Sequence, residues 1–174
     1  MLLLLLAAAC GGDDGVGADT GDAGTTTESD DAADATTTTA EPATPEELAV
    51  EAYLRGWEVE FKALDPPNPM HPELGEVFTG EAAQSIGDII VNAKNAGQRS
   101  VGSMVTNPTV ASSTSEKVLL KDCTVEQSTT YDATGAVVDQ GPYPPRSREV
   151  EVVNQDGTWR VSVIRTLEEP CTPA

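Results

Sequence analysis

Between residues 44 and 97 the apolar positions recur with a helical period, and beyond residue 97 they alternate with polar ones. Thr44-Pro45-Glu46-Glu47 has the chemistry of a helix start: Thr44 can cap, Pro45 suits the first helical position, and Glu47 completes a capping box. Val50, Leu54, Trp57, Phe61 and Leu64 then share one stripe, with Tyr53 on its edge. Pro66, Pro67 and Pro69 end the helix, since proline lacks the N–H that a helix interior uses. The run from His71-Pro72-Glu73-Leu74 to Phe78 reads as a short helical turn. Thr79 caps a second long helix, whose expected buried face is Ala82, Ile86, Ile89, Ile90 and Ala93 and whose stop is Gly97.

After Gly97 the strands begin. Val101 to Val110 reads as one bent strand interrupted near Asn107-Pro108, and Lys117 to Val125 as the next. Leu119 beside Leu120 implies apolar neighbours on both faces. Asp132-Ala133-Thr134-Gly135 marks a turn, and Gly141-Pro142-Tyr143-Pro144-Pro145 a loop. Val150 and Val152 alternate with Glu149 and Glu151. After a turn at Asn154 to Gly157, Trp159, Val161 and Val163 alternate with Arg160 and Ser162. Helices first and an antiparallel meander afterwards make the class α+β, with two amphipathic helices packed on a sheet of about four to five strands.

The start of the chain changes the picture. MLLLLLAAAC places a short apolar run and three alanines directly before Cys10, which resembles a bacterial lipoprotein signal whose cysteine receives lipid. The stretch has no Lys or Arg before its apolar run, so the true start is expected upstream. Gly11 to Ala43 holds Val16 as its only larger aliphatic residue and cannot bury enough surface to offset chain entropy. The expected organisation is therefore a signal peptide at 1–9, a lipidated Cys10 on a disordered acidic tether at 10–43, and a folded domain at 44–174. The Asp13-Asp14 and Asp30-Asp31 pairs match no ordered calcium loop and read as solvated linker.

Net charge is -19 over 174 residues. Such a balance repels phosphate and excludes nucleic acid as a partner, as well as unaided adsorption to anionic lipid. With Cys10 assigned to lipid and the chain exported, Cys123 and Cys171 are left to pair with each other.

The order of Ala52-Tyr53-Leu54, Trp57, His71-Pro72-Glu73-Leu74, Thr79-Gly80, Lys121-Asp122-Cys123, Tyr131-Asp132, Gly157-Thr158-Trp159-Arg160-Val161 and Cys171 resembles a group of small bacterial secreted proteins and lipoproteins. That group looks like part of the nuclear transport factor 2-like superfamily. The resemblance covers about Thr44 to Cys171 and implies a cone of curved antiparallel sheet wrapped around a long helix. It implies no particular activity, because that superfamily includes isomerases, dehydratases, ligand binders and interaction modules.

Candidate chemistry is sparse. His71 is the sole histidine, which removes histidine triads and multi-histidine metal sites and leaves a surface or capping role. Enzymes of the superfamily project Asp, His and Tyr into the cone; here Tyr53 could donate, with Asp65 or Asp88 as base, although each also suits a structural or solvated position. Tyr53, Trp57, Phe61 and Trp159 are candidates to line a pocket, with Trp57 and Trp159 facing each other from opposite elements or simply filling the core. Arg146 and Arg148 form a local cationic spot that reads as an anion site or, better, as a solvated strand edge. No glycine-rich phosphate loop or metal-spaced Cys/His cluster is present in the sequence, so neither cofactor nor metal is expected. The expectation is a non-enzymatic envelope lipoprotein on the extracytoplasmic face of the cell membrane. It would contact another envelope protein or hold a small apolar ligand, and could pair with a second copy through its sheet. The alternative is a proton-transfer enzyme using Tyr53 and a carboxylate.

Overall fold

The computed structural model describes residues 43–173, so Cys10, the signal peptide and nearly all of the tether lie outside the described residues. Its elements run α1 (Pro45–Ala63), α2 (Leu74–Val77), α3 (Gly80–Asn95), β1 (Arg99–Val105), β2 (Thr109–Ser113), β3 (Lys117–Tyr131), β4 (Val137–Gln140), β5 (Arg146–Gln155) and β6 (Thr158–Leu167). The class is α+β, with helices packed against an open antiparallel sheet. Six strands form it rather than four or five. The expected bent strand from Val101 is two strands, β1 and β2, parted at Asn107-Pro108. The sixth, β4, leaves no clear alternation because all four of its residues are exposed.

β3 is the spine. Its 15 residues pair with β2 and β5 over the first half, and with β1 and β4 over the second. β5 then pairs with β6 through a two-residue hairpin in which Asp156 and Gly157 both have positive φ, 53° and 84°. That geometry suits the right-handed twist of the flanking strands, and an Asp-Gly pair adopts it readily. Asn154 Oδ1 accepts from the Gly157 N–H at 2.9 Å.

The capping box at Thr44 forms: the Glu47 N–H donates to Thr44 Oγ1 at 3.3 Å, and the Thr44 N–H donates to Glu47 Oε2 at 2.9 Å. The stripe of α1, however, is rotated from the expected one. Ala49, Tyr53, Gly56, Glu60 and Ala63 are buried and follow a regular four-three spacing, whereas Leu54 is 39% exposed. At Gly56 a small residue is required because the side chains of Phe78 and Val161 press directly on the helix backbone. A Cβ on Gly56 would stand 3.2 Å from the Phe78 ring and 3.7 Å from Val161. Larger side chains on either flank then reach past the contact line.

Phe78 and Thr79 are pinned to β6, with the Thr79 N–H donating to the Val161 carbonyl at 2.9 Å. This contact sets the start of α3, whose Ala82, Ile86 and Ile90 are buried; Thr79 makes no side-chain cap. Ile89, expected in the buried face, is 47% exposed. The core gathers Tyr53, Trp57 and Val59 of α1, Ile86 and Ile90 of α3, and the inward valines and leucine of β3, β5 and β6.

Candidate ligand cavity

The inward face of the sheet changes character along its length. On β3 the buried positions run Val118, Leu120, Asp122, Thr124, with half-buried Glu126 and buried Ser128 continuing the same alternation. On β5, Val152 and Val150 are followed, in phase, by Arg148 and Arg146. One end of this face is hydrocarbon and the other is polar. α1 and α3 close over the polar end without filling it.

A cavity of about 300 Å³ remains there, walled by Trp57, Glu60 and Phe61 of α1, Ser85, Ile86 and Ile89 of α3, and Glu126, Arg146 and Arg148 of the sheet. β1 and β6 add Ser100, Met104 and Ile164. Ile164 reaches the cavity because of a bulge. Glu151 pairs with Val163 and Val152 with Val161, so Ser162 is left over and the alternation slips by one residue. Ser162 is held against Glu151, its Oγ donating to the Glu151 carbonyl at 3.1 Å and to Glu151 Oε1 at 3.0 Å, and Ile164 takes the cavity-facing place that plain alternation assigns to Val163.

Glu60 is the unusual member. It is only 8% exposed, its Oε2 has no hydrogen-bond partner, and burial pushes its carboxyl up to about 7, with the Glu126 charge adding to the rise and Arg148 opposing it. Desolvation penalises the ionised form. Arg148 is half-buried; its Nε donates to Thr124 Oγ1 at 2.9 Å, Nη1 to Thr166 Oγ1 at 3.4 Å, and its guanidinium carbon lies 5.1 Å from the Trp57 ring centroid. Burial draws its pKa down from the usual guanidinium value, although a guanidinium keeps its charge under any such shift.

The residues singled out in the sequence divide. Trp57 and Phe61 line the cavity, whereas Tyr53 and Trp159 do not. Tyr53 is 1% exposed and donates from Oη to Asp122 Oδ2 at 2.8 Å; burial, then the Asp122 charge, raises its pKa. Trp159 is buried in the core near the start of β6. Asp65 is paired with Arg99 at 3.3 Å, Asp88 is exposed, and neither joins Tyr53 or the cavity. His71 sits in the loop before α2, half-buried, with its backbone N–H donating to the Asn68 carbonyl at 3.0 Å. Arg146 and Arg148 are not on a strand edge: β5 is an interior strand between β3 and β6. Cys123 and Cys171 are joined in a disulfide with their Cα atoms 5.7 Å apart. Among the described residues no His, Cys, Asp and Glu cluster could hold a metal, and no helix is long and apolar enough to cross a membrane.

Glu60 and Glu126 escape a reading of the sequence by composition alone. The signal for both is phase. Glu60 falls on the Ala49–Tyr53–Gly56–Ala63 spacing, and Glu126 keeps the alternation that starts at Val118.

No protein-family profile and no curated protein matches the chain. Among solved structures it is similar to the intermembrane space region of the chloroplast protein ARC6, at 16% identity and a TM-score of 0.54, over 72% of this chain and 98% of that one. That likeness is one of fold alone. Weaker likenesses, on which nothing further rests, are to a protein of unknown function with a cystatin-like fold from Nostoc punctiforme, at 11% identity and TM-score 0.41 over 72% and 93% of the two chains, and to Aln2 from a Streptomyces species, at 17% and 0.43 over 72% and 94%.

Proposed function

We propose that this chain is a lipid-anchored module of the cell envelope whose domain holds a small, largely apolar ligand between α1, α3 and the sheet. One observation carries the ligand-binding part: the cavity of about 300 Å³, faced by Trp57, Phe61, Ile86 and Ile89, with a few polar groups at one end. That size and that mixture of an apolar wall with a few convergent polar groups are typical of small-molecule sites. The anchor rests on the MLLLLLAAAC start, and the Cys123–Cys171 bridge fits the oxidising side of a membrane.

The test is titration of the intact chain with 1-octanol, followed by tryptophan fluorescence and calorimetry. Saturable binding is expected, and Ser85→Phe, which fills the cavity from α3, should remove it. Absence of saturable binding in the native chain would defeat the reading.

Proton transfer is the second reading, moved from Tyr53 to Glu60. An acid poised near neutrality beside a guanidinium is what such chemistry requires. It is tested by turnover of small carbonyl substrates in the native chain against Glu60→Gln; equal rates, or none in either, would remove it.

A further inference from the structure

Arg146 and Arg148 both open on the cavity, and among the described residues neither has a carboxylate within ion-pairing distance. The charged groups around them come from two other elements. Glu126 on β3 accepts from Ser128 Oγ at 2.6 Å, and Glu60 on α1 leaves Oε2 buried without a partner. α3, β1 and β6 bring Ser85, Ser100, Met104 and Ile164 to the wall, and no charge.

We infer that the cavity takes a small monoanionic amphiphile, a carboxylate on an apolar body. Its head pairs with Arg148 and Arg146, and its body lies against Trp57, Phe61 and Ile86. The inference rests on the ligand-binding reading above and names the ligand's class. A half-buried guanidinium without a directly paired carboxylate is costly, and a carboxylate matches its planar donors two at a time. The charge count also selects a monoanion. With Glu60 protonated, two guanidiniums face the single charge of Glu126, and one negative charge closes the balance.

Glu60 then has a defined part. Protonated, its hydroxyl can donate to the bound carboxylate; ionised, it stands as a second negative charge beside it. Its carboxyl is held up to about 7, so a bound anion favours the protonated form further and binding should hold a proton in place. Above neutrality the affinity should fall by up to about tenfold per pH unit, the limit for one coupled proton. The net charge of -19 does little against anion entry, because at physiological salt the fields of exposed charges are screened beyond about 8 Å.

The experiment compares octanoate with 1-octanol on the full chain, by calorimetry from pH 6 to 9. Octanoate should bind about tenfold tighter than octanol at pH 6.5, a difference of one decade in Kd. Its affinity should decline above pH 7 while octanol's stays level. Glu60→Gln should keep octanoate binding and lose the decline. Arg148→Met should erase the preference for octanoate. Should that variant fail to fold, Arg146→Gln, at an exposed position, must lower the preference, and the native pH profile must still show the decline. Octanol binding as well as octanoate at every pH would overturn the anion while leaving the ligand cavity in place. Binding of neither would overturn both.

Discussion

Tyr53 Oη donates to Asp122 Oδ2 at 2.8 Å, joining the middle of α1 to the middle of β3 across a sequence separation of 69 residues. The other carboxylate oxygen accepts from the Asn107 N–H at 2.8 Å, so a buried charge is met from two sides. One of those sides fixes the helix and the other fixes the gap between β1 and β2. A buried carboxylate shorn of one donor costs about 1–3 kcal/mol. Tyr53→Phe should therefore lower stability by that amount while leaving octanol and octanoate affinity within about twofold, because the hydroxyl does not reach the cavity. Urea unfolding and calorimetry on one preparation check both halves. A large loss of binding with stability unchanged would return Tyr53 to the site.

Glu60 predicts a pH dependence of opposite sign to the usual acidic residue. Its carboxyl sits near 7 in the fold, against an ordinary value of 4.5. Between those values the unfolded chain releases the proton that the folded chain keeps, so stability falls as pH rises through that window and levels off above it. The span corresponds to about 3 kcal/mol at most. Glu60→Gln should flatten this part of the profile and be the more stable protein at pH 8. Urea midpoints at pH 5, 6, 7 and 8 measure it; a native profile that rises from 5 to 8 would contradict the buried, unpartnered carboxyl.

Much of the fold is legible in the sequence because its signals are strong ones. The capping box at Thr44, the prolines after Leu64, the Asp-Gly hairpin and the Val150/Val152 alternation each dictate backbone geometry locally. The site is harder to read because it is built from residues that break the hydrophobic code while obeying its period. Arg146 and Arg148 look like solvated positions on charge alone, although they continue the phase of the two valines. Glu60 is hidden because Ala49, Gly56 and Ala63 give a weak hydrophobic signal, and Leu54 with Val50 shift the apparent stripe to the flank. The bulge at Ser162 has no local signature at all. It depends on pairing with Glu151 and Val152, which is a property of two strands together.

Anchoring is tested at Cys10, from the three alanines and the short apolar run before it. Mature protein expressed with its signal should begin at Cys10 and carry lipid, and Cys10→Ala should leave the membrane fraction. Two or more acyl chains give durable attachment where one gives only marginal binding. Intact mass of the membrane-bound protein decides: an unmodified cysteine at that position rules the anchor out.

The disulfide predicts a thermodynamic cycle. Cys123 lies on β3 next to Asp122, and Cys171 on the tail that follows β6, with 48 residues of separation between them. Tying the tail back to the spine removes freedom mainly from the unfolded chain. For a loop of that length the chain-entropy estimate is roughly 4 kcal/mol, an upper figure because residual structure in the unfolded chain reduces it. Cys123→Ser and Cys171→Ser each open the same loop, so both should lose a similar part of that stability. The double variant should cost little more than either single one, since the second substitution has no bridge left to break. Addition of a reductant to the native chain should bring its unfolding midpoint towards that of the double variant and leave the double variant unmoved. The cavity lies outside this link, as neither cysteine is among its walls, so ligand affinity measured well below the unfolding midpoint should be the same in all four proteins. Single-variant losses that add in the double variant would mean that each sulfur contributes through its own packing, and the bridge would then not be the source of the stability.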